Sequence, residues 1–167
     1  VDQLELLFML KPVLATASLL LATLLASSAW AASTVHVSLN DVGTDAALAG
    51  DMGMGMSADM SKAIMSVTAD ATSVPAGEVT FEVTNASKSM VHEMLVVKVT
   101  DLATQLPYDA ATDRIDEDKA GSLGEVSELD AGGTGSLTLT LEPGTYLLFC
   151  NLRGHYMAGM WTSITVN

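Results

Sequence analysis

The chain has 167 residues, with 20 acidic against 7 basic side chains for a net charge of -13, 49% hydrophobic residues and a single cysteine. That is one domain's worth of chain, since domains run on the order of 100 to 200 residues. The acidic excess leaves no positive field to hold phosphate backbones, so no nucleic-acid partner is expected. One cysteine excludes a disulfide scaffold.

Apolar residues are unevenly spread. Lys11 opens an uncharged run from Val13 to Ala29, rich in Leu and Ala, that ends in Ala29-Trp30-Ala31. A basic start, an apolar centre and small residues at a cleavage point are the layout of a secretory leader. Residues 1–31 are therefore expected to be a signal peptide cut after Ala31. Met9 to Ala31 alone makes a complete signal, whereas Val1 to Phe8 adds two acids where a leader wants basic charge, so Met9 is the expected true start. The alternative is an uncleaved anchor, but the run is marginal for the ~20 residues a span needs and is diluted with Ser and Thr. The remaining domain, residues 32–167, carries -12, because Asp2, Glu5 and Lys11 leave with the leader. An exported, periplasmic domain is the expectation, with no stable membrane span after cleavage.

The rest of the chain reads as strands. Thr34 to Asn40 alternates, with Val35, Val37 and Leu39 on one face and His36, Ser38 and Asn40 on the other, the period-2 signature of a half-buried strand. Ile64 to Thr68, Glu78 to Thr84, Val91 to Thr100, Leu137 to Leu141, Thr145 to Cys150 and Ser163 to Val166 read the same way. Turn signals separate them at Pro75-Ala76-Gly77, Asn85-Ala86-Ser87, Gly132-Gly133 and Pro143-Gly144, as glycine, proline and asparagine clusters do. Short strands with such breaks predict an all-β, antiparallel sandwich or barrel. Two stretches interrupt the pattern. Asp101 to Asp130 reads as a long polar crossover between sheets, with a helical turn around Asp113 to Ala120, and its acids Asp113, Asp116, Glu117 and Asp118 read as a solvated face. Gly50 to Met60 is a Met/Gly-rich loop with Met52, Met54 and Met56 at every second position.

Chemistry concentrates near the C-terminus. A lone cysteine in an exported protein is a buried inert thiol, an intermolecular bridge or a thiolate held by a metal. Its neighbours favour the last: four residues separate Cys150 from His155, and four more separate His155 from Met160. A thiolate, an imidazole and a thioether thus share one short loop between two strands. His92, at the start of an apolar strand just after a turn, can supply a second imidazole from the sheet end. Two His and one Cys in a plane with a weak axial Met are the ligand set of a blue-copper electron-transfer site. Gly154 and Gly159 each precede a ligand, where a tight loop calls for positive φ or close backbone approach.

Other donors are weaker. His36 lies on the polar face of its strand and is expected to face solvent. Met94 shares the parity of His92 but reads as core. Met157 is a rival axial donor; two residues past His155, it is expected to point outward, forming with Tyr156 and Ala158 an apolar patch around the edge of His155. Met52, Met54, Met56 and Met60 are soft donors suited to Cu(I), yet no His or Cys accompanies them, so a Gly-rich loop without metal is the simpler reading.

From Cys150 to Val166 the chain resembles the ligand loop of cupredoxins, its Cys, Gly-His, Gly-Met, aromatic, Ile and Val positions looking most like rusticyanin and sulfocyanin. The resemblance implies a two-sheet Greek-key sandwich carrying single electrons between redox partners, with His92, Cys150 and His155 as equatorial ligands and Met160 as the axial one. Two positions depart from those relatives. Glu93 stands where several have Asn or Ser bridging the ligand loops, and Arg153 precedes Gly154 where Pro is usual; such neighbours tune a metal's potential. The expected protein is thus a monomeric type 1 copper carrier with one copper per chain, not an enzyme, and the acidic domain suits a basic partner such as a cytochrome. The competing readings are a periplasmic copper chaperone or resistance factor that uses the Met-rich segment, and a metal-free module of the same fold.

Overall fold

The computed structural model describes residues 32–42, 63–103 and 105–167. The expected leader, residues 1–31, and the Met/Gly-rich loop, residues 50–60, lie outside the described residues.

Two sheets carry the fold. The first is ordered β2-β1-β4-β9, from Met65–Ala69, Ser33–Asp41, Gly77–Asn85 and Thr134–Leu141. The second is ordered β3-β11-β10-β5-β8, from Ser73–Val74, Trp161–Val166, Gly144–Phe149, His92–Val99 and Ser122–Leu129. Most neighbours are antiparallel, but β1 runs parallel to β4 and β3 parallel to β11. The parallel pairs arise because the chain leaves β2, borders the second sheet as β3 and returns beside β1 as β4.

Inward residues of both sheets meet in one core: Val35, Val37 and Leu39 of β1 and Phe81 of β4 pack with Met94 and Val96 of β5, Leu148 of β10 and Ile164 of β11. Such alternation follows from the strand pleat, which sends successive side chains to opposite faces. Phe81 is fully buried, and burying a side chain of that size stabilises the fold by about 1.5–3 kcal/mol. His36 points outward beside Glu82, with Nδ1 3.2 Å from its Oε2, and Met94 lies in the core.

The second sheet is covered on its outer face as well. Leu95 and Val97 of β5 and Leu147 and Phe149 of β10 pack there against Leu106, Ile115 and Tyr156. That is why β5 reads as a nearly unbroken apolar run rather than an alternating one. The cover comes from the stretch expected to be one polar crossover; the helical turn expected around Asp113 to Ala120 is present, but the rest of the expectation is corrected. Residues 101–130 hold a two-stranded ribbon, β6 (Tyr108–Asp109) with β7 (Arg114–Ile115), a single helical turn α1 (Glu117–Ala120), and β8, an edge strand of the second sheet. The turn starts at Asp116, whose side chain accepts from the Lys119 amide, and stops at Gly121 with φ 70°, the usual means of ending a helix.

Candidate metal centre

Because β10 and β5 are antiparallel, the end of β10 and the start of β5 fall at one pole of the second sheet. Cys150 follows β10 there, and His92 opens β5. The turn before His92 is braced by Asn85, fully buried, whose side chain donates to the carbonyls of Met90 and Leu129 at 2.8 Å each and accepts from the Ser87 amide. Ser87 Oγ accepts from the Met90 amide at 2.8 Å.

The loop from Cys150 to Met160 is held as tightly. Its own backbone closes it: the Cys150 amide donates to the Met160 carbonyl at 3.0 Å and the Met160 amide to the His155 carbonyl at 3.1 Å. Gly154 and Gly159 take φ of 78° and 94°, a region that L side chains enter at a cost. Asn151, almost wholly buried, pins the loop to the outer cover: its side chain accepts from the Ile115 amide at 2.7 Å and donates to the Ile115 carbonyl and to Glu117 Oε1. The Gly154 amide donates to the Asp113 carbonyl at 2.9 Å, and Arg153 Nε to the Asp113 carboxylate.

Three donors converge at this pole. The Nδ1 atoms of His92 and His155 are 3.2 Å apart, Cys150 Sγ is 3.3 Å from His155 Nδ1, and one ligand atom from each residue lies within 4.8 Å of the others. All three residues are buried. Nitrogen and thiolate donors at ~2.0–2.3 Å from a shared metal are themselves separated by roughly 3.3–3.7 Å, so the two spacings from His155 Nδ1 are close to those around a single ion. Met160, fully buried, belongs to the same apolar cluster as Cys150 and Ala158.

Burial sets the electrostatics. In the metal-free protein it pushes the Cys150 thiol up to about 12, against the pull of the Glu93 and Leu152 amides that donate to the sulfur. Burial, reinforced by His92, lowers His155 to about 4, so its ring is neutral at pH 7 and keeps a lone pair for a metal. Glu93 rises to about 7, first from burial and then from Glu125; its Oε1 is buried with no hydrogen-bond partner among the described residues.

Two findings differ from the sequence reading. The expected apolar patch of Tyr156, Met157 and Ala158 around His155 does not form: Tyr156 and Ala158 are buried. Tyr156 turns inward against Phe149, ring centroids 5.5 Å apart at 75°, because the outer cover supplies an apolar site for it, and only Met157 stays partly exposed. The second finding is Asp41, whose Oδ2 lies 2.8 Å from His92 Nε2, the two side chains 3% and 0% exposed. The signal was present in the alternation of β1: Asp41 shares the parity of Val35, Val37 and Leu39, so a carboxylate stood at an inward position.

Comparisons with known proteins agree with this geometry. Auracyanin-B of Chloroflexus aurantiacus is 46% identical over 50 residues, which are 29% of this chain and 21% of that protein; the match spans about a fifth of the relative's length. Auracyanin A, a "blue" copper protein from the same organism, superposes with a TM-score of 0.50 at 22% identity, covering 82% of this chain and all of that one. Reduced rusticyanin gives 0.50 at 22% identity, over 80% and 79% of the two chains. These likenesses show a shared cupredoxin sandwich. Residues 54–167 match the family of copper-binding proteins of the plastocyanin/azurin type, and the chain belongs to that family.

Proposed function

We propose that the chain is an exported single-electron carrier with one type 1 copper, which His92, Cys150 and His155 would hold, with Met160 as a weak fourth donor. The observation that carries the reading is the convergence of two imidazole nitrogens and one thiol within 4.8 Å in a buried pole. Copper bound there supplies a one-electron couple between its +1 and +2 states, to which soft sulfur and borderline imidazole donors are both suited. His155 offers a neutral ring, and Cys150 would hold the metal as a thiolate, as a ligating thiol must. The Glu93 and Leu152 amides stabilise the resulting thiolate by donating to it. Asn85 and Asn151 fix the two ligand segments, so the donors shift little when charge changes, which keeps the reorganisation barrier for electron transfer low. The acidic surface speeds encounter with a basic redox partner such as a cytochrome at low salt, while affinity stays modest. The leader-like residues 1–31 support a periplasmic location, and the proposal takes the carrier as a monomer that transforms no substrate.

Voltammetry of the copper-loaded chain tests this directly. A reversible one-electron couple that disappears in Cys150→Ala and survives replacement of Met52, Met54 and Met56 supports the carrier. Copper transfer to an acceptor that depends on those methionines, without a reversible couple, would favour copper delivery instead.

A further inference from the structure

The buried carboxylate of Asp41 is unused by the donor set. It closes β1 at the metal pole, with Oδ2 2.8 Å from His92 Nε2, and its side chain is 3% exposed. Short contact and burial together favour a ring N–H pointing at a carboxylate, a charge-assisted hydrogen bond stronger than one to a neutral carbonyl. Donation from Nε2 fixes the neutral tautomer of His92 and leaves the lone pair on Nδ1. That is the atom 3.2 Å from His155 Nδ1.

We propose that Asp41 is a positioning residue for the metal centre, selecting the Nε2–H tautomer of His92, whose Nδ1 lone pair is left for the metal, and lending the ring negative charge, so that the higher-valent metal is favoured. The inference rests on the copper-carrier reading and deepens it. A carboxylate behind a ligating imidazole raises its basicity, and the loss of such a partner typically weakens metal affinity ~10- to 100-fold. With Cys150 as thiolate and Asp41 as carboxylate, the donor set and the group directly behind it carry two negative charges, which match Cu(II) and leave one excess negative charge beside Cu(I). In a site shielded from water that difference is poorly screened, so the carboxylate acts mainly on the balance between oxidation states. Asp41 is assigned no contact with the metal; it acts through its hydrogen bond to His92 and through its charge.

The test compares the full chain with Asp41→Asn, which keeps the shape and an acceptor oxygen but removes the charge, and Asp41→Ala, which removes both. Asp41→Asn should bind Zn(II), a redox-silent probe, ~10-fold or more weakly. Its preference for Cu(II) over Cu(I) should drop ~10-fold, a rise in reduction potential of about 59 mV for a one-electron couple. Nitrogen NMR of the metal-free wild type should report His92 protonated at Nε2, a state kept in Asp41→Asn and lost in Asp41→Ala. A folded Asp41→Asn whose potential and Zn(II) affinity lie within twofold of wild type overturns the proposal. So does a metal-free wild type with His92 protonated at Nδ1, a measurement that decides the matter even if the variants do not fold. A wild-type chain lacking the one-electron couple overturns the carrier reading, whereas an intact couple that Asp41→Asn leaves unmoved overturns only the role of Asp41.

Discussion

The two segments that deliver the donors are held by different means. His92 opens a strand inside a sheet and is backed by a buried carboxylate, Asp41, with Asn85 bracing the turn before it. Cys150 and His155 lie on a loop held mainly by hydrogen bonds to backbone groups, through Asn151 to Ile115 and through Gly154 to Asp113. The strand side therefore adds a buried carboxylate behind its ligand, while the loop side is fixed chiefly by bonds to backbone. A site assembled this way can have its potential altered from one side and its donor spacing from the other.

Breaking the loop side at its donor gives the largest effect. Cys150→Ala should abolish colour and the one-electron couple altogether, while circular dichroism stays that of a β-sandwich, because the lost thiol is small. Retention of the couple would place the metal elsewhere.

Removing the loop's clamp comes next. Asn151→Ala leaves the Ile115 amide and carbonyl without the side chain they bond, and each buried group so orphaned costs about 1–3 kcal/mol. Chemical denaturation should show a loss of about 2–6 kcal/mol for the two groups together, with a broadened copper spectrum as the donor spacing relaxes. An unchanged spectrum would mean that the outer cover does not steady the ligand loop.

A smaller effect separates two buried groups by the sign of their pH response in the metal-free protein. Glu93 is raised from 4.5 to about 7, so the folded state keeps a proton that the unfolded chain releases, and stability falls as pH rises from 4.5 to about 7. His155 is lowered from 6.5 to about 4; the unfolded chain holds the extra proton, and stability is lost as pH falls from 6.5 to about 4. The two oppose each other over the shared window. Glu93→Gln should stabilise the metal-free protein at pH 8 by about 1 kcal/mol, a value reduced for solvent screening, and should uncover the rise of stability with pH that His155 produces. Parallel wild-type and variant curves in a urea series from pH 4 to 8 would contradict the burial of Glu93.

The smallest effect is expected at the rim. Arg153 is exposed, and its 3.2 Å pair with Asp113 is a surface ion pair worth about 0–1 kcal/mol. Arg153→Ala should leave the melting curve nearly unmoved and high salt should erase what shift there is. A large loss would show that the pair, rather than Asn151, carries the clamp.

The sequence was most informative where local pattern and structure share a cause. Period-2 alternation in β1 and β4 and the turn at Asn85-Ala86-Ser87 carried the first sheet, since one face of each strand meets the core and the other meets water. Spacing brought Cys150, His155 and Met160 onto one loop. β8 escaped because its pairing with β5 shifts register twice, and because it is an edge strand whose Glu125 and Glu128 face solvent, so the alternation is interrupted. The inward turn of Tyr156 was hidden for a related reason: the apolar site that receives it is built by Leu106 and Ile115, from a stretch whose average composition is polar. Asp41 lay between these cases. Its parity was readable, but its partner is 51 residues away in sequence, and only the register of the fold joins them.

The central claim is that two imidazoles and one thiolate bind a single copper ion, and absorption with electron paramagnetic resonance of the copper-loaded chain tests it most directly. The account predicts one Cu(II) per chain with an intense blue or green absorption, present in wild type and absent in Cys150→Ala. A pale copper complex whose spectrum Cys150→Ala leaves unchanged would contradict it.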